Sequence, residues 1–136
     1  MPSNTNPIFL AERKCWGVQI TAATGTATLD LVSAGGYGSL IETISATTTA
    51  TGAVEVDLKV NDGSSTFALG SFSVAAGAGT DGGTTDAVEA LNQTELPWLR
   101  DDLTIGLATG CTLQVAAHAA LATGKVVDLV AWGGDY

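Results

Sequence analysis

Between residues 53 and 60 the chain alternates without a break. Val54, Val56, Leu58 and Val60 fall on one parity, and Glu55, Asp57 and Lys59 on the other. A period of two sends the two sets to opposite faces, so this segment predicts a strand with one buried side. The same test, with runs bounded by Gly, Ser, Thr and Asp clusters, predicts further strands over 17–22, 26–32, 39–48, 66–74, 103–108, 112–119 and 125–132. Between Phe67/Leu69 and Phe72/Val74 the alternation changes phase, which predicts a bulge at Gly70-Ser71. The last run, Val126 to Trp132, is apolar on both parities apart from Asp128. Such a strand belongs at the centre of a sheet or beneath a partner.

Two segments break the pattern. Residues 1–15 hold two prolines and two asparagines with no 3.6-residue apolar period, and read as an extended N-terminal arm. Residues 16–136 then form a single domain. After the fifth strand comes a Gly-rich stretch, Gly77 to Gly83, and an excursion of the chain before the sixth. Within it, Thr85 or Asp86 offers a cap for a short helix near 85–93, and Pro97 stops any extension. Eight short strands at this spacing predict an all-β antiparallel β-sandwich, and eight favours the jelly roll.

Composition sharpens this picture. Charged residues are 14% of the chain, against about 25% in an ordinary soluble domain. Ala, Thr and Gly dominate instead, a blend suited to stacked strands and turns. The net charge is −9, from 14 acids and five bases. Nucleic-acid affinity is driven by Lys and Arg against phosphate, so the chain is expected to bind neither nucleic acid nor an anionic membrane. No run of 18 apolar residues occurs, and Ile8 to Ala11 is too short for the apolar core of a secretory signal. Synthesis in a cytoplasm is therefore expected.

Candidate chemistry is sparse. The one histidine, His118, has no metal-type neighbour in sequence, and reads as a surface or interface side chain. Glu55 and Asp57 are two acids on the solvent side of a strand, where a glycosidase pair is the less economical reading. Asp101-Asp102 reads as turn chemistry, with a calcium site built from Asp81, Asp86 or this pair as an alternative lacking a ligand-loop pattern. Gly77 to Gly82 matches G-x-G-x-x-G outside any βαβ context, so it reads as a loop. Cys15 and Cys111 are two thiols, a bridge between an early and a late segment, or a metal or nucleophilic pair. No enzyme activity and no cofactor are expected. Carboxylate-rich segments beside Trp98 leave a carbohydrate-binding sandwich as a rival.

Four stretches carry a family resemblance: Thr26 to Ile41, Ala76 to Gly82, Leu96-Pro97-Trp98-Leu99, and Trp132-Gly133-Gly134-Asp135-Tyr136. Together they resemble small capsid decoration (cement) proteins of tailed bacteriophages, of the β-sandwich or jelly-roll kind. The resemblance implies a structural virion protein on the outer surface of a capsid, assembled in the host cytoplasm. It also implies a homotrimer that clamps neighbouring major capsid protein subunits. The residues fit that role in their own terms. An acidic surface is tolerable outside a shell, an extended arm can add a strand to a neighbour, and tryptophans anchor interfaces. The candidates for the capsid or subunit interface are Phe9, Arg13, Lys14, Trp16, Trp98, Trp132 and Tyr136. A tail, collar or fibre protein is the neighbouring alternative.

Overall fold

The computed structural model describes residues 10–136, so the expected interface residue Phe9 lies outside the described residues. The strands are β1 (Glu12–Thr21), β2 (Leu29–Ser33), β3 (Ser39–Thr48), β4 (Val54–Asn61), β5 (Thr66–Val74), β6 (Val88–Glu89), β7 (Ile105–Leu107), β8 (Thr112–Ala117) and β9 (Val126–Asp135). They form two antiparallel sheets. The first runs β1-β9-β3, with β6 and β7 both alongside β3, and the second runs β2-β8-β4-β5. Every strand predicted from alternation is present, because each carries its own buried parity. In β4, Val54, Val56 and Leu58 face the core while Glu55 and Asp57 face outward.

The core lies between the sheets. Phe72, Ile20, Ile41, Ile44, Leu58, Leu113 and Leu129 are fully buried. β9 is central in its sheet, paired along its length with β1 on one side and β3 on the other. Its Val127, Leu129 and Ala131 point into the core, which accounts for one apolar face; Val130 and Trp132 belong to the other. The expected bulge lies one residue early. Leu58 pairs with Gly70 and Lys59 with Ala68, so Leu69 is the extra residue, followed by Gly70 at φ +144°.

The expected helix near 85–93 is a correction: among the described residues there is no helix, and Val88–Glu89 is a strand. The backbone groups a helix would pair internally are taken by β3. Ala90 N donates to Ile44 O at 2.8 Å, and the Glu89 carboxylate accepts from Ile44 N at 2.9 Å and Leu91 N at 2.8 Å. Two turns of helix are marginal alone, and burying Ala90, Leu91 and Leu96 outweighs them. The strand count is accordingly nine among the described residues, against the eight expected. The arm also ends sooner than expected, since Glu12 to Cys15 are already paired with β9.

Candidate functional site: the outer face around Trp132

The middle of the outward parity of the first sheet is built mostly from small or polar side chains, with Asp128 near one end and the Arg13–Glu42 pair at the other. Cys15, Gly17 and Gln19 of β1 lie opposite Trp132, Val130 and Asp128 of β9. Beyond them, Thr43, Ser45 and Thr47 of β3 complete three rows. From this floor Trp132 stands out, 51% exposed at the centre of a sheet. A depression lies to one side, lined by Arg13, Cys15, Glu42 and Gly133, and a second to the other, lined by Gly17, Gln19, Thr47, Asp128 and Val130.

A local irregularity shapes the first depression. Ile41 pairs with Gly133 and Thr43 with Trp132, so Glu42 is a bulged residue. Its carboxylate meets Arg13 Nη1 at 2.8 Å. β1 and β3 are two strand spacings apart, about 9.6 Å, with β9 between them. The ion pair spans that gap over Gly133-Gly134, where no side chain intervenes. Gly133 has a second reason to be glycine: a Cβ there would overlap the Leu40 carbonyl.

Asp135 ties down the end of this face. Lys14 Nζ lies 2.6 Å from Asp135 Oδ2, and Ser39 Oγ donates to Oδ1 at 2.5 Å. Gly35 N in turn donates to Ser39 Oγ at 2.9 Å, and a side chain at Gly35 would strike the carboxylate. The Lys14 ammonium, then the Ser39 hydroxyl, hold the Asp135 carboxyl below its ordinary range, and Asp135 holds Lys14 above its own. Both bases expected to reach acids on a partner therefore have acids within the chain.

The other candidates lie elsewhere. Lys14 and Trp16 take the inward parity of β1, and Trp16 is half-buried against the core. Trp98, 45% exposed, sits on the β5 edge of the second sheet, its Nε1 donating to Leu69 O at 2.6 Å. A shallow depression over Arg100, Asp101 and Asp102 is not lined by Trp98. Tyr136 is half-buried beside Gly38, whose carbonyl accepts from Tyr136 N at 3.2 Å. Of the six expected residues that are described, the structure thus brings Arg13 and Trp132 together on one outward surface, with Lys14 at its rim.

The outer face of the second sheet is a polar network. Asp57 accepts from Ser71 Oγ at 2.8 Å and lies 3.2 Å from His118 Nδ1. A hydrolytic triad needs the imidazole between hydroxyl and carboxylate. Here the carboxylate is in the middle, and the serine proton is already committed to it. Gln114 donates to Asp30 at 2.8 Å in the same layer. Asp81 and Asp102 turn inward on their own loops, to Thr85 N and to Thr104. Among the described residues no three His, Cys, Asp or Glu side chains converge in metal-binding geometry. Cys15 and Cys111 are free thiols, the first on β1 and the second just before β8 in the other sheet.

No protein-family model and no curated protein matches this chain. Among solved structures it is similar to a pentameric capsid protein isolated from metagenomic phage sequences. The two are 22% identical with a TM-score of 0.35, over 93% of this chain and 63% of that one. The chain therefore spans less than two thirds of that protein's length.

Sequence reasoning passed over Glu42, Gly17, Val130 and Asp135. A signal for Glu42 was present: Ile41 and Ile44 are both buried yet three apart, an odd spacing that a strand reaches only through a bulge. Asp135 had none, since its partners come from β1, β3 and a loop, far away in sequence.

Proposed function

We propose that this chain is a structural virion protein that binds the outer surface of a bacteriophage capsid and stabilises the shell by clamping neighbouring major capsid subunits. The observation that carries the reading is Trp132, held half out of water on the central strand of its sheet, between Cys15 and Thr43 on the flanking strands. Large aromatics ringed by small and polar groups are the usual anchors of protein interfaces. The motif resemblance and the acidic, base-poor surface point the same way. We read the sandwich as a jelly roll: the orders β1-β9-β3-β7 and β2-β8-β4-β5 are those of two interleaved Greek keys. The role is binding rather than catalysis, with homotrimers as the working unit. Many modest contacts would then sum through avidity on a repeating lattice, and binding to the mature shell alone would favour that state by mass action.

The test is the copy number of this chain in purified particles relative to the main shell subunit. A ratio near one to one supports decoration of the whole lattice. A few copies per particle moves the protein to a tail, collar or fibre, and absence from particles overturns the virion reading. Trp98, half-exposed near Arg100 to Asp102, keeps a carbohydrate-binding module as the second reading, which glycan binding by the isolated chain would favour.

A further inference from the structure

Each sheet of an open sandwich has two edges, and proteins guard such edges because bare backbone invites pairing. Three of the four are guarded here. The β3 edge is covered by β6 and β7. The β5 edge carries the Leu69 bulge, and its backbone is capped by Trp98 Nε1 on Leu69 O and by Glu95 Oε2, which accepts from Ser73 N at 2.6 Å. The β2 edge is five residues long and broken by a register shift between Asp30 and Val32. β1 is guarded least, by its charges at Glu12 to Lys14 and by Thr24 on Thr21 at the two ends alone. It is ten residues long, its register with β9 runs from Glu12 to Thr21 without a shift, and it contains no proline.

Between those ends the backbone of β1 is also available. Thr21 N and Thr21 O both bond to Thr24, on the side away from β9. With an unshifted antiparallel register, alternate residues present their amides the same way, so Gln19, Gly17 and Cys15 direct theirs to the open edge. Among the described residues no hydrogen bond meets them there. From Cys15 to Thr21 the strand has no charge, while Glu12, Arg13 and Lys14 crowd its first end.

We propose that the β1 edge pairs with the β1 edge of a second copy of this chain, antiparallel and about a two-fold axis. The charge layout selects this occupant. Antiparallel self-pairing sets the charged end of each strand beside the uncharged end of the other, so neither copy brings base against base. Centred on Trp16, it places Arg13 opposite Gln19, Lys14 opposite Val18, and Cys15 opposite Gly17 of the second copy. Trp16, half-buried in one copy, meets its own equivalent. The two first sheets become one, and both Trp132 faces lie on a single continuous surface. The proposal concerns the free chain in solution, and is independent of the virion role and of the homotrimer that role would form on a capsid.

In that register the two Cys15 residues are diagonal neighbours, about 7–8 Å apart, within reach of a short bismaleimide. The experiment uses the full chain with Cys111→Ser, by sedimentation velocity at rising concentration and by cross-linking. The expected result is a two-copy species whose share grows with concentration and which is trapped covalently through Cys15. Gln19→Pro removes an edge-facing amide and should reduce the trapped fraction at least tenfold, whereas Gln19→Ala should leave it unchanged. If Gln19→Pro fails to fold, Gly17→Asp serves in its place, setting an acid close to its two-fold mate. A chain that stays monomeric with Cys15 untrapped overturns the proposal, as would occupation of the edge by residues 1–9 of the same chain. A two-copy species that survives both edge substitutions without Cys15 cross-linking overturns it as well.

Discussion

Trp132 shows how much one side chain's parity decides. The run from Val126 to Trp132 is apolar enough to suggest a buried anchor, and a buried tryptophan cut to alanine costs about 3–5 kcal/mol. Asp128, four residues earlier, shares its parity and marks that face as the wet one. The indole is accordingly 51% exposed. Trp132→Ala is expected to cost about 1 kcal/mol or less, nearer to a surface substitution. On the proposed virion role, binding to particles should weaken far more than the melting temperature moves. A loss of several kcal/mol in denaturant unfolding would show that the side chain supports the fold instead. The two glycines that follow were legible as a motif but not as a mechanism. Their need for empty space becomes visible only when Leu40, Arg13 and Glu42 are brought across β9 by pairing.

At the scale of elements, the strands were readable because each declares itself locally, through alternation and through the small polar residues at its ends. The stretch near 85–93 declared a helix on the same local terms and became a strand. What decides it is distant. The Glu89 carboxylate accepts from Ile44 N, 45 residues away, and from Leu91 N, and so stands in for a strand partner where β6 runs out. Unpaired amides in a partly buried site cost about 1–3 kcal/mol each. Glu89→Ala should therefore destabilise by about 2 kcal/mol or more, and raise hydrogen exchange at the Ile44 and Leu91 amides before others. Glu89→Gln, which keeps an acceptor, should recover much of the loss. An unchanged exchange pattern in the alanine variant would remove Glu89 from the account of β6. The excursion it anchors closes the side of the sandwich between β3 and β5, which no local pattern announces.

For the molecule as a whole, acidity acts in two directions. With a net charge of −9 at pH 7, mild acidification relieves self-repulsion and should at first stabilise the fold. Four carboxyls then oppose further acidification. Asp62 is held below its ordinary 3.8 by the Ser65 and Ser64 amides, Asp81 by the Thr85 amide, Asp102 by the Thr104 hydroxyl and amide, and Asp135 by Lys14 and Ser39. A carboxyl depressed in the folded state binds fewer protons there than in the unfolded chain. Its contribution is present above the ordinary value and is lost as pH falls through the folded one. Lys14 is raised above its ordinary 10.5, so its contribution is full below that value and disappears as pH climbs through the folded pKa. Thermal melts across pH should therefore show a maximum on the acid side of neutrality, a fall below about pH 4, and a shallower fall in strong alkali. The Lys14–Asp135 pair takes part in both limbs. The Asp135 carboxylate joins β1, β3, β9 and the turn at Gly35, and its side chain is 15% exposed, which shields the pair with Lys14 from full screening. Asp135→Asn should thus lower the maximum and flatten both limbs. A variant with the same two limbs as the parent would mean that the Lys14–Asp135–Ser39 chain does not hold this end of the sandwich together.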